Sequence, residues 1–393
     1  MTSKLHFAID GREANVHHRV GSNVYAFHII EELALLIKED PGLQATVLLA
    51  AEPVSDLPCE TEDWRYQVVT PAKMWTQWAE PLHLFKNKNK YDALYTPGHY
   101  APRFSAVPYV SSVMDLAYLY YPEQFRSSDL LQLKNWTQYS VKRAKKVVAI
   151  SEFTKKEIHH HYKKKLEDIV VAYPDTSLTD KPAPKARVNA FLRKHNLQEQ
   201  DYFLFIGTLQ PRKNLINLVS AYEQFYAEAL EEKNNANLAE KKPIPKLVIA
   251  GKVGWLAQPL LDKIKASPIQ EQIILTGFVH DQIKPVLIQQ AQALILVGLY
   301  EGFGIPPLEA LHLKTIPVVS NNSSLPEVVG EAGLQVNPHK PDHIAQALKH
   351  VYEMTSHQRG RLIKRAREQR HKFSWKKSAK KVLTTLKQVA RKK

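Results

Sequence analysis

The sequence contains a single cysteine, Cys59, among its 393 residues. One cysteine cannot form an internal disulfide, which argues against a disulfide-stabilised secreted protein and fits a reducing cytoplasm. No uninterrupted apolar run approaches the ~20 residues that a membrane-spanning helix needs. The first residues lead almost at once into a predicted strand, so we expect no signal peptide. With 44% hydrophobic and 24% charged residues, the composition indicates a soluble, globular, cytoplasmic protein.

Acidic residues are scarce relative to basic ones. The chain has 39 aspartates and glutamates against 54 lysines and arginines, a net charge of +15, with the excess concentrated in residues 142–146, 155–165 and 359–393. The excess suits an anionic membrane surface, nucleic acid, or a merely solvated basic face. Near an anionic leaflet each basic residue gains roughly 1 kcal/mol. The chain lacks a nucleic-acid recognition signature and interleaved stacking aromatics, so we expect no nucleic-acid partner and retain the inner face of the membrane as a peripheral location.

Three consecutive histidines, residues 159–161, invite comparison with a metal site. Consecutive residues of a helix point in different directions, and two ligands of one ion would need a spacing of i, i+4. We therefore interpret the three histidines as part of a solvated basic face and predict no metal there.

Short apolar segments alternate with helical patterns along the chain. Strands that alternate with helices form βαβ units, so we predict an α/β fold with parallel sheets, and 393 residues are enough for two domains. The predicted strands are residues 7–10, 45–50, 66–69, 93–96, 108–113, 146–150, 169–172, 202–206, 247–250, 273–275, 294–297 and 317–320. Ligands of such sheets bind beyond the carboxyl ends of the strands.

Two polar segments interrupt the alternation. Residues 175–187 are rich in proline, alanine and lysine, and we predict an interdomain linker there. Residues 231–246 are also polar, and we predict a loose surface loop.

One apolar strand, residues 293–297, is followed by a glycine-containing loop and a helical pattern. Gly302 and Gly304 permit a backbone bend, and the two prolines that follow suit a first helical turn. The positive end of such a helix faces the loop, where an anion binds well. Glu301 and Glu309 flank this turn, and carboxylates accept hydrogen bonds from hydroxyls. The pattern favours a polyol beside an anion, or else a helix whose glutamates stabilise its own N-terminus.

A second strand, loop and helix begin at residues 202–206. Gly207 closes the strand, and Arg212 and Lys213 then precede an apolar helical face. Two cations beside a helix N-terminus suit a diphosphate, which is bound through charge-assisted hydrogen bonds. The alternative is that both are ordinary surface charges of a loop.

Candidate residues of the first half of the chain also follow strands. Gly21 precedes an amphipathic helical run and marks either an anion-binding corner or an ordinary tight turn. His99 and Asp115 lie just past two predicted strands. His99 either hydrogen-bonds a substrate or lies exposed on its loop.

Four blocks of the sequence resemble one known family. Residues 300–310, Tyr-Glu-Gly-Phe-Gly-Ile-Pro-Pro-Leu-Glu-Ala, resemble the Glu-x7-Glu signature of retaining, nucleotide-sugar-dependent glycosyltransferases of family 4. Residues 207–214, which end in Pro-Arg-Lys-Asn, are similar to the phosphate loop of that family. Residues 149–154 and 320–330 are similar to two further stretches, and the four blocks occur in the family's order.

The resemblance implies the GT-B architecture, in which two Rossmann-like parallel-sheet domains face each other across a cleft. We accordingly expect an acceptor-side domain at residues 1–180, with a C-terminal helix at 371–393 that packs back onto it. A donor-binding domain is expected at residues 187–370. No sequence repeat relates the two halves.

The resemblance also implies roles for individual residues. Glu301 is expected to bind hydroxyls of the donor sugar, and Glu309 those of the ribose. Arg212, Lys213 and the Gly302–Gly304 backbone are expected to neutralise the departing diphosphate. The implied site comprises Arg212, Lys213, Glu301 and Asp115 for catalysis, Gly21, Gly207, Gly302, Phe303, Gly304 and Glu309 for the donor, and His99 and Met114 on the acceptor or sugar side.

Several positions depart from the family pattern. Met114 stands where the family usually has a histidine that approaches the donor sugar near its 6-position. Val297-Gly298 replaces a common Pro-Ser pair, and Lys314 a usual glycine. The chain also contains no Asp-x-Asp sequence, so nothing indicates a magnesium-bridged diphosphate, and we expect neither a metal nor another cofactor.

The sequence therefore predicts a retaining glycosyltransferase. It would move a hexosyl group, such as mannosyl or glucosyl, from a nucleoside-diphosphate sugar to a hydroxyl of a glycan or lipid-linked acceptor. One alternative is a sugar-nucleotide epimerase with GT-B architecture, which would turn over the nucleotide sugar without an acceptor. The other is a catalytically degenerate binding protein, which is favoured by the departures from the family pattern at Met114, Val297-Gly298 and Lys314.

Overall fold

The computed structural model of the protein describes residues 4–178, 183–235 and 242–390. Its internal contacts group the chain into two units, Met1–Asp175 with Phe373–Lys393, and Thr176–Lys372. Each unit is built around one sheet, and every strand pair in the described residues is parallel. Two parallel-sheet α/β domains confirm the predicted fold class.

The described part of the first unit has a sheet of seven strands. They are β1 Leu5–Asp10, β2 Leu43–Leu49, β3 Trp64–Val68, β4 Ala93–Thr96, β5 Tyr109–Val113, β6 Lys146–Ala149 and β7 Ile169–Val171. Their order in the sheet is β3-β2-β1-β4-β5-β6-β7, so the carboxyl ends of β1, β4 and β5 are neighbours. The central strands are buried along almost their whole length because helices cover both faces.

Helices connect these strands. They are α1 Ser22–Glu39, α2 Glu80–Lys86, α3 Ala117–Tyr120, α4 Ser127–Arg143 and α5 Glu152–Tyr162. A π-helical turn, Trp75–Ala79, runs directly into α2. The chain's last helix, α14 Trp375–Val389, also packs on this unit and contacts α1, β4, β5 and β7.

Backbone and side-chain contacts hold α14 against the sheet. Lys381 Nζ donates to the carbonyl oxygen of Val171 at 2.8 Å, and Ser378 Oγ donates to that of Tyr173 at 2.5 Å. The indole of Trp375 stacks on the His28 ring with 4.8 Å between centroids. The apolar face of α14 is buried, so this helix is part of the unit's core.

The described part of the second unit has a sheet of six strands. They are β8 Tyr202–Ile206, β9 Lys246–Ala250, β10 Ile273–Gly277, β11 Ala293–Leu296, β12 Ile316–Ser320 and β13 Leu334–Val336. Their order is β10-β9-β8-β11-β12-β13. The order reverses direction between β8 and β11, the place where open α/β sheets bind ligands at the carboxyl ends of their strands.

Helices flank this second sheet. They are α6 Lys185–Lys194, α7 Leu215–Asn235, α8 Gln258–Lys265, α9 Lys284–Gln289, α10 Ile305–His312, α11 Leu325–Val329, α12 Pro341–Glu353 and α13 Ser356–Arg370. Helix α10 follows β11 and α7 follows β8, so both predicted strand–loop–helix units are present.

The predicted strands are confirmed to within two residues at each end, but three details differ. Strand β13 was not predicted. The predicted loop at 231–246 is wrong for residues 231–235, which continue α7, and residues 236–241 lie outside the described part. Within the predicted linker at 175–187, α6 already begins at Lys185, and residues 179–182 lie outside the described part.

Within the described ranges, no helix is both long enough and apolar enough to cross a membrane.

Candidate functional site

A cluster of opposite charges joins two loops of the second unit. The Nζ atom of Lys213 lies 2.6 Å from Oε1 of Glu301. Nη1 of Arg212 lies 3.6 Å from Oε2 of the same carboxylate and donates to the carbonyl oxygen of Tyr300 at 2.9 Å. Glu301 is 7% exposed, so its charge is largely withdrawn from water. One buried carboxylate between two cations is electrostatically satisfied and leaves a net positive charge for an anion.

The first of these loops follows β8. Gly207 directly follows the strand, Pro211–Lys213 forms a 3₁₀ turn, and Asn214 takes a left-handed conformation with φ of 58°. The Asn214 amide donates to the carbonyl oxygens of Val297 at 3.0 Å and Pro338 at 2.7 Å. Asn214 therefore fastens the Arg212–Lys213 loop to the end of β11. Asn214 is the last residue of the Pro-Arg-Lys-Asn motif, but the motif did not indicate that its side chain connects the two loops.

The second loop, Gly302–Gly304, is buried between β11 and α10. Gly304 has a φ of 117°, and a Cβ at this position would lie 2.7 Å from Cδ2 of Leu325. Both facts favour glycine here. The Ser324 hydroxyl lies 2.7 Å from the carbonyl oxygen of Phe303, and the Ser323 hydroxyl accepts from the backbone N–H of Glu301 at 3.2 Å. The serines after β12 thus hold the acidic loop in place.

Glu309 lies on α10, apart from the Arg212–Lys213 pair. It is 1% exposed, and its Oε1 atom lies 2.6 Å from Nζ of Lys284 on α9. Burial raises the pKa of Glu309, while the neighbouring Lys284 acts to lower it. The two glutamates of the predicted motif therefore have different cationic partners. Nothing in the sequence pattern pointed to Lys284.

In the first unit, Gly21 precedes α1 with φ of 55° and ψ of −117°. The N-terminus of that helix already has a carboxylate, because Glu13 Oε2 accepts from Asn23 Nδ2 at 2.8 Å and from Ser22 Oγ at 3.2 Å. A negative side chain is favourable at a helix N-terminus. A Cβ at Gly98 would lie 3.1 Å from Cγ of Glu13, so this loop also lies close by. Glu13 was not among the predicted site residues.

His99 and Asp115 follow the neighbouring strands β4 and β5. His99 is half-buried, and its buried Nδ1 atom has no hydrogen-bond partner. Burial lowers the pKa of His99, and the charges of Asp115 and Glu13 oppose this shift. The Asp115 carboxylate accepts from the backbone N–H of Ala117 at 3.0 Å. His99 is thus not a fully exposed loop histidine, which was one of the two interpretations of the sequence.

Met114 is 7% exposed and directly follows β5, an interior strand of the first sheet. Its carbonyl oxygen lies 3.5 Å from the hydroxyl of Thr154, near the start of α5. Ser151 caps the N-terminus of that helix, because its Oγ accepts from the Thr154 backbone N–H at 2.9 Å. Met114 is therefore packed in the protein interior, and its position beside the donor sugar stays a prediction.

The predicted site residues fall into two groups, one in each unit. The second unit brings together Arg212, Lys213 and Glu301, with loop Gly302–Gly304 adjacent, and the first unit brings His99 and Asp115 close to Glu13. Across residues 4–178, 183–235 and 242–390, no group of three histidine, cysteine or carboxylate side chains is arranged to hold a metal ion.

The chain is similar to characterised proteins of one family. Residues 188–369 match the model of the glycosyl transferases group 1. The chain is 30% identical over 268 residues to O-antigen chain mannosyltransferase B of Escherichia coli, which covers 68% of this chain and 66% of that protein. It is 25% identical over 243 residues to O-antigen chain mannosyltransferase RfbU of Salmonella typhimurium, covering 62% of this chain and 60% of that protein. The matches therefore span less than two thirds of either relative.

The fold is similar to solved structures over nearly the whole chain. The crystal structure of Anabaena Alr3699/HepE in complex with UDP and glucose has a TM-score of 0.71 at 16% identity, and the match covers 98% of this chain and 100% of that one. A sucrose-phosphate synthase from Thermosynechococcus elongatus has a TM-score of 0.72 at 17% identity, covering 98% and 99%. Residues 188–369 are thus similar to the glycosyl transferases group 1, and the two units of the chain have the GT-B fold.

Proposed function

We propose that this protein transfers a hexosyl group from a nucleoside-diphosphate sugar to a hydroxyl of a glycan or lipid-linked acceptor. The observation that carries the proposal is the Arg212–Lys213–Glu301 cluster at the carboxyl ends of β8 and β11. It combines cations for a diphosphate with a carboxylate for sugar hydroxyls. The match of residues 188–369 to the glycosyl transferases group 1 and the names of the mannosyltransferase relatives support the same reaction.

The leaving group is the nucleoside diphosphate, and the two cations stabilise the charge that develops on it. Helix α10 itself contributes few N–H groups to this task. Two of its first residues are Pro306 and Pro307, which have no N–H. Anion binding at this end therefore depends on the loop backbone and above all on Arg212 and Lys213.

Glu301 both positions the cations and accepts hydrogen bonds from hydroxyls of the donor sugar. A carboxylate has enough lone pairs to accept from Lys213 and from a hydroxyl together. Glu309, paired with Lys284, is assigned to the ribose hydroxyls of the nucleotide. This second assignment rests on family analogy.

The proposed reaction proceeds with retention and without a metal ion. The bond between the anomeric carbon and the phosphate oxygen breaks, and the acceptor oxygen bonds to the same face of that carbon. The departing phosphate oxygen takes the acceptor's proton. Arg212 and Lys213 supply the charge neutralisation that a metal would otherwise give. The sequence also has no Asp-x-Asp pair, the usual ligands of such a metal.

Mannose is the first donor sugar to test, because the two relatives compared above are named mannosyltransferases. Glucose is the second. Its support is weaker, because the glucose complex belongs to a structure that is similar in fold at 16% identity.

The acceptor is proposed to be presented at an anionic membrane surface. Large apolar side chains are exposed along the π-helical turn and α2: Trp78 is 68% exposed, Leu82 54% and Phe85 60%. Spacings of four and three residues place them on one face of the helical segment. Exposed lysines flank this face at positions 73, 86, 88 and 90. An apolar face bordered by lysines suits the interface of an anionic bilayer.

The test is direct. Thermal shifts of the purified chain with UDP, GDP, ADP and their sugars identify the donor, because a ligand that binds the folded state raises its apparent stability. The identified donor is then incubated with a mannose oligosaccharide, and the anomeric configuration of the product is determined by NMR. Epimerised donor without transfer would instead support the epimerase, and binding without any turnover the degenerate binding protein.

A further inference from the structure

The first unit contains a cavity of about 300 Å³ that no step above has used. It lies between the π-helical turn, α4 and the loop after β1. Its walls include Arg12, Trp75, Thr76, Gln77, Gln132 and Trp136. Its volume is at the lower end of small-molecule sites, which occupy roughly 300–1,000 Å³. It is large enough for a sugar ring.

Arg12 is held firmly in the wall of this cavity. Its Nη1 atom donates to Oγ1 of Thr76 at 2.8 Å, and its Nη2 atom lies 3.8 Å from Oδ2 of Asp10. The guanidinium carbon lies 5.4 Å from the centre of the Trp75 ring. A side chain fixed by three neighbours presents its remaining N–H groups without a large entropic cost on binding.

The charge of Arg12 is already compensated. Asp10 is 2% exposed, and the charges of Asp10 and Glu13 both act on Arg12. Glu80 is fully buried without a hydrogen-bond partner, and burial raises its pKa well above the usual range, which favours its neutral form. Two carboxylates near one guanidinium leave no surplus positive charge for a phosphate. The cavity therefore suits a neutral ligand that is rich in hydroxyls.

The remaining lining groups suit a sugar. Gln77 and Gln132 offer both donors and acceptors to hydroxyl groups. The half-buried indole of Trp136 offers an apolar face, as an amphipathic aromatic does where one side is wet. Trp136 also contacts the Tyr100 ring edge-to-face at 5.4 Å, and Tyr100 adjoins His99. Trp136 thus connects one wall of the cavity, through Tyr100, to His99, a residue that the resemblance placed on the acceptor or sugar side.

We propose that this cavity is a subsite for a neutral hexose ring of the acceptor glycan, with Trp136 against the ring and Arg12, Gln77 and Gln132 hydrogen-bonded to its hydroxyls. This inference rests on the proposed function. It adds a location and a chemical class of ligand, a neutral sugar rather than the phosphate of a lipid carrier.

The test compares Gln132→Ala and Trp136→Ala with two control variants of α4, Leu131→Ala and Gln138→Ala. Both control positions are exposed, and neither lines the cavity. With saturating donor and mannotriose as acceptor, we expect the KM for mannotriose to rise about three- to tenfold for Gln132→Ala, the loss of one hydrogen bond, and at least as much for Trp136→Ala. The donor Kd should be unchanged in all four variants.

Titration calorimetry of mannotriose without donor provides the second measurement. Binding to the wild type that weakens in both cavity variants but not in the controls supports the subsite. An unchanged KM and unchanged mannotriose affinity in the two cavity variants, or no binding of mannotriose to the wild type, overturns it. A wild type that binds a nucleotide sugar but no mannotriose overturns the subsite alone, whereas failure of the wild type to bind any nucleotide sugar overturns the proposed function.

Discussion

Lys213 and Glu301 form an ion pair of 2.6 Å between side chains that are 88 positions apart in the chain. The pair makes the donor-site candidate a product of tertiary structure, because each residue belongs to a different strand–loop–helix unit. Arg212 extends the pair into a cluster by contacting the same carboxylate. Cation and carboxylate are consequently positioned before any donor arrives.

The first prediction concerns these cations. Arg212→Ala and Lys213→Ala should each lower kcat/KM by about 100- to 1,000-fold, because each removes a charged donor that stabilises the leaving diphosphate. Steady-state kinetics with the identified donor provides the measurement. Lys263→Ala is the matched control, since Lys263 makes an equally short pair with Glu223 on a different part of the unit. Wild-type kinetics in both site variants would show that the donor binds elsewhere.

The buried pair of Lys284 and Glu309 predicts a pH-dependent loss of stability. Burial raises the pKa of Glu309, so this carboxyl favours the folded state at low pH and disfavours it as pH rises through its folded-state pKa. Removing the lysine in Lys284→Ala should raise that pKa further and lower the free energy of unfolding by about 3–5 kcal/mol at pH 8. The loss should be smaller at pH 5, where Glu309 can take up a proton.

Urea denaturation at the two pH values measures this effect. Lys263→Ala should lose less than about 1 kcal/mol, because its partner is more exposed. Adding Glu309→Gln to Lys284→Ala should recover part of the stability and remove the pH dependence. A loss in Lys284→Ala that is equal at both pH values would contradict the argument.

Metal independence is the third prediction. Transfer should proceed at an unchanged rate after dialysis against EDTA, because two cationic side chains supply the charge at the diphosphate. Initial rates before and after chelation provide the measurement. Inactivation by EDTA that manganese or magnesium reverses would refute it.

A fourth prediction concerns the donor's 6-hydroxyl. Met114 cannot replace the hydrogen bond of a histidine, because a thioether is a weak acceptor and no donor. His99 has a buried nitrogen without a partner and is the candidate replacement. His99→Ala should then lower kcat/KM more for a hexose donor than for its 6-deoxy analogue, a difference of roughly 1–3 kcal/mol in activation free energy. Adding Met114→His to His99→Ala should restore part of the activity with the hexose donor. Equal effects on the two donors would exclude His99 from this contact.

The fifth prediction concerns the membrane. The chain should sediment with anionic vesicles and less with neutral ones, and salt should weaken the binding because exposed charges are screened beyond about 10 Å at 0.1 M. Trp78→Ser with Phe85→Ser should reduce vesicle binding without changing transfer to a water-soluble acceptor. Phe278→Ser, an exposed aromatic of the second unit, is the control. Equal binding to neutral vesicles would show that apolar insertion suffices.

The sequence predicts the sheets of this protein well because buried parallel strands are nearly continuous apolar runs. β13 escaped prediction because three residues, Leu334–Val336, are too short to show a pattern. The end of α7 escaped because Glu231, Glu232 and Lys233 resemble a polar loop, although all three are good helix formers.

For the candidate site, the sequence predicted the motifs but not all their partners. Glycines, cations and carboxylates at strand ends are local features, and they were identified. Lys284 and Glu13 were not, because each is defined by a tertiary contact, with Glu309 and with the start of α1. No spacing rule along the chain encodes such contacts.

The position of α14 affects the order in which the two units can fold during synthesis. Thr176–Lys372 is one continuous stretch and contains every strand of its own sheet. The first unit lacks its last helix until Trp375–Val389 has emerged from the ribosome. The apolar surface under Val382 and Leu386 therefore remains uncovered while the whole second unit is translated, so the unit that begins first is expected to complete its core last.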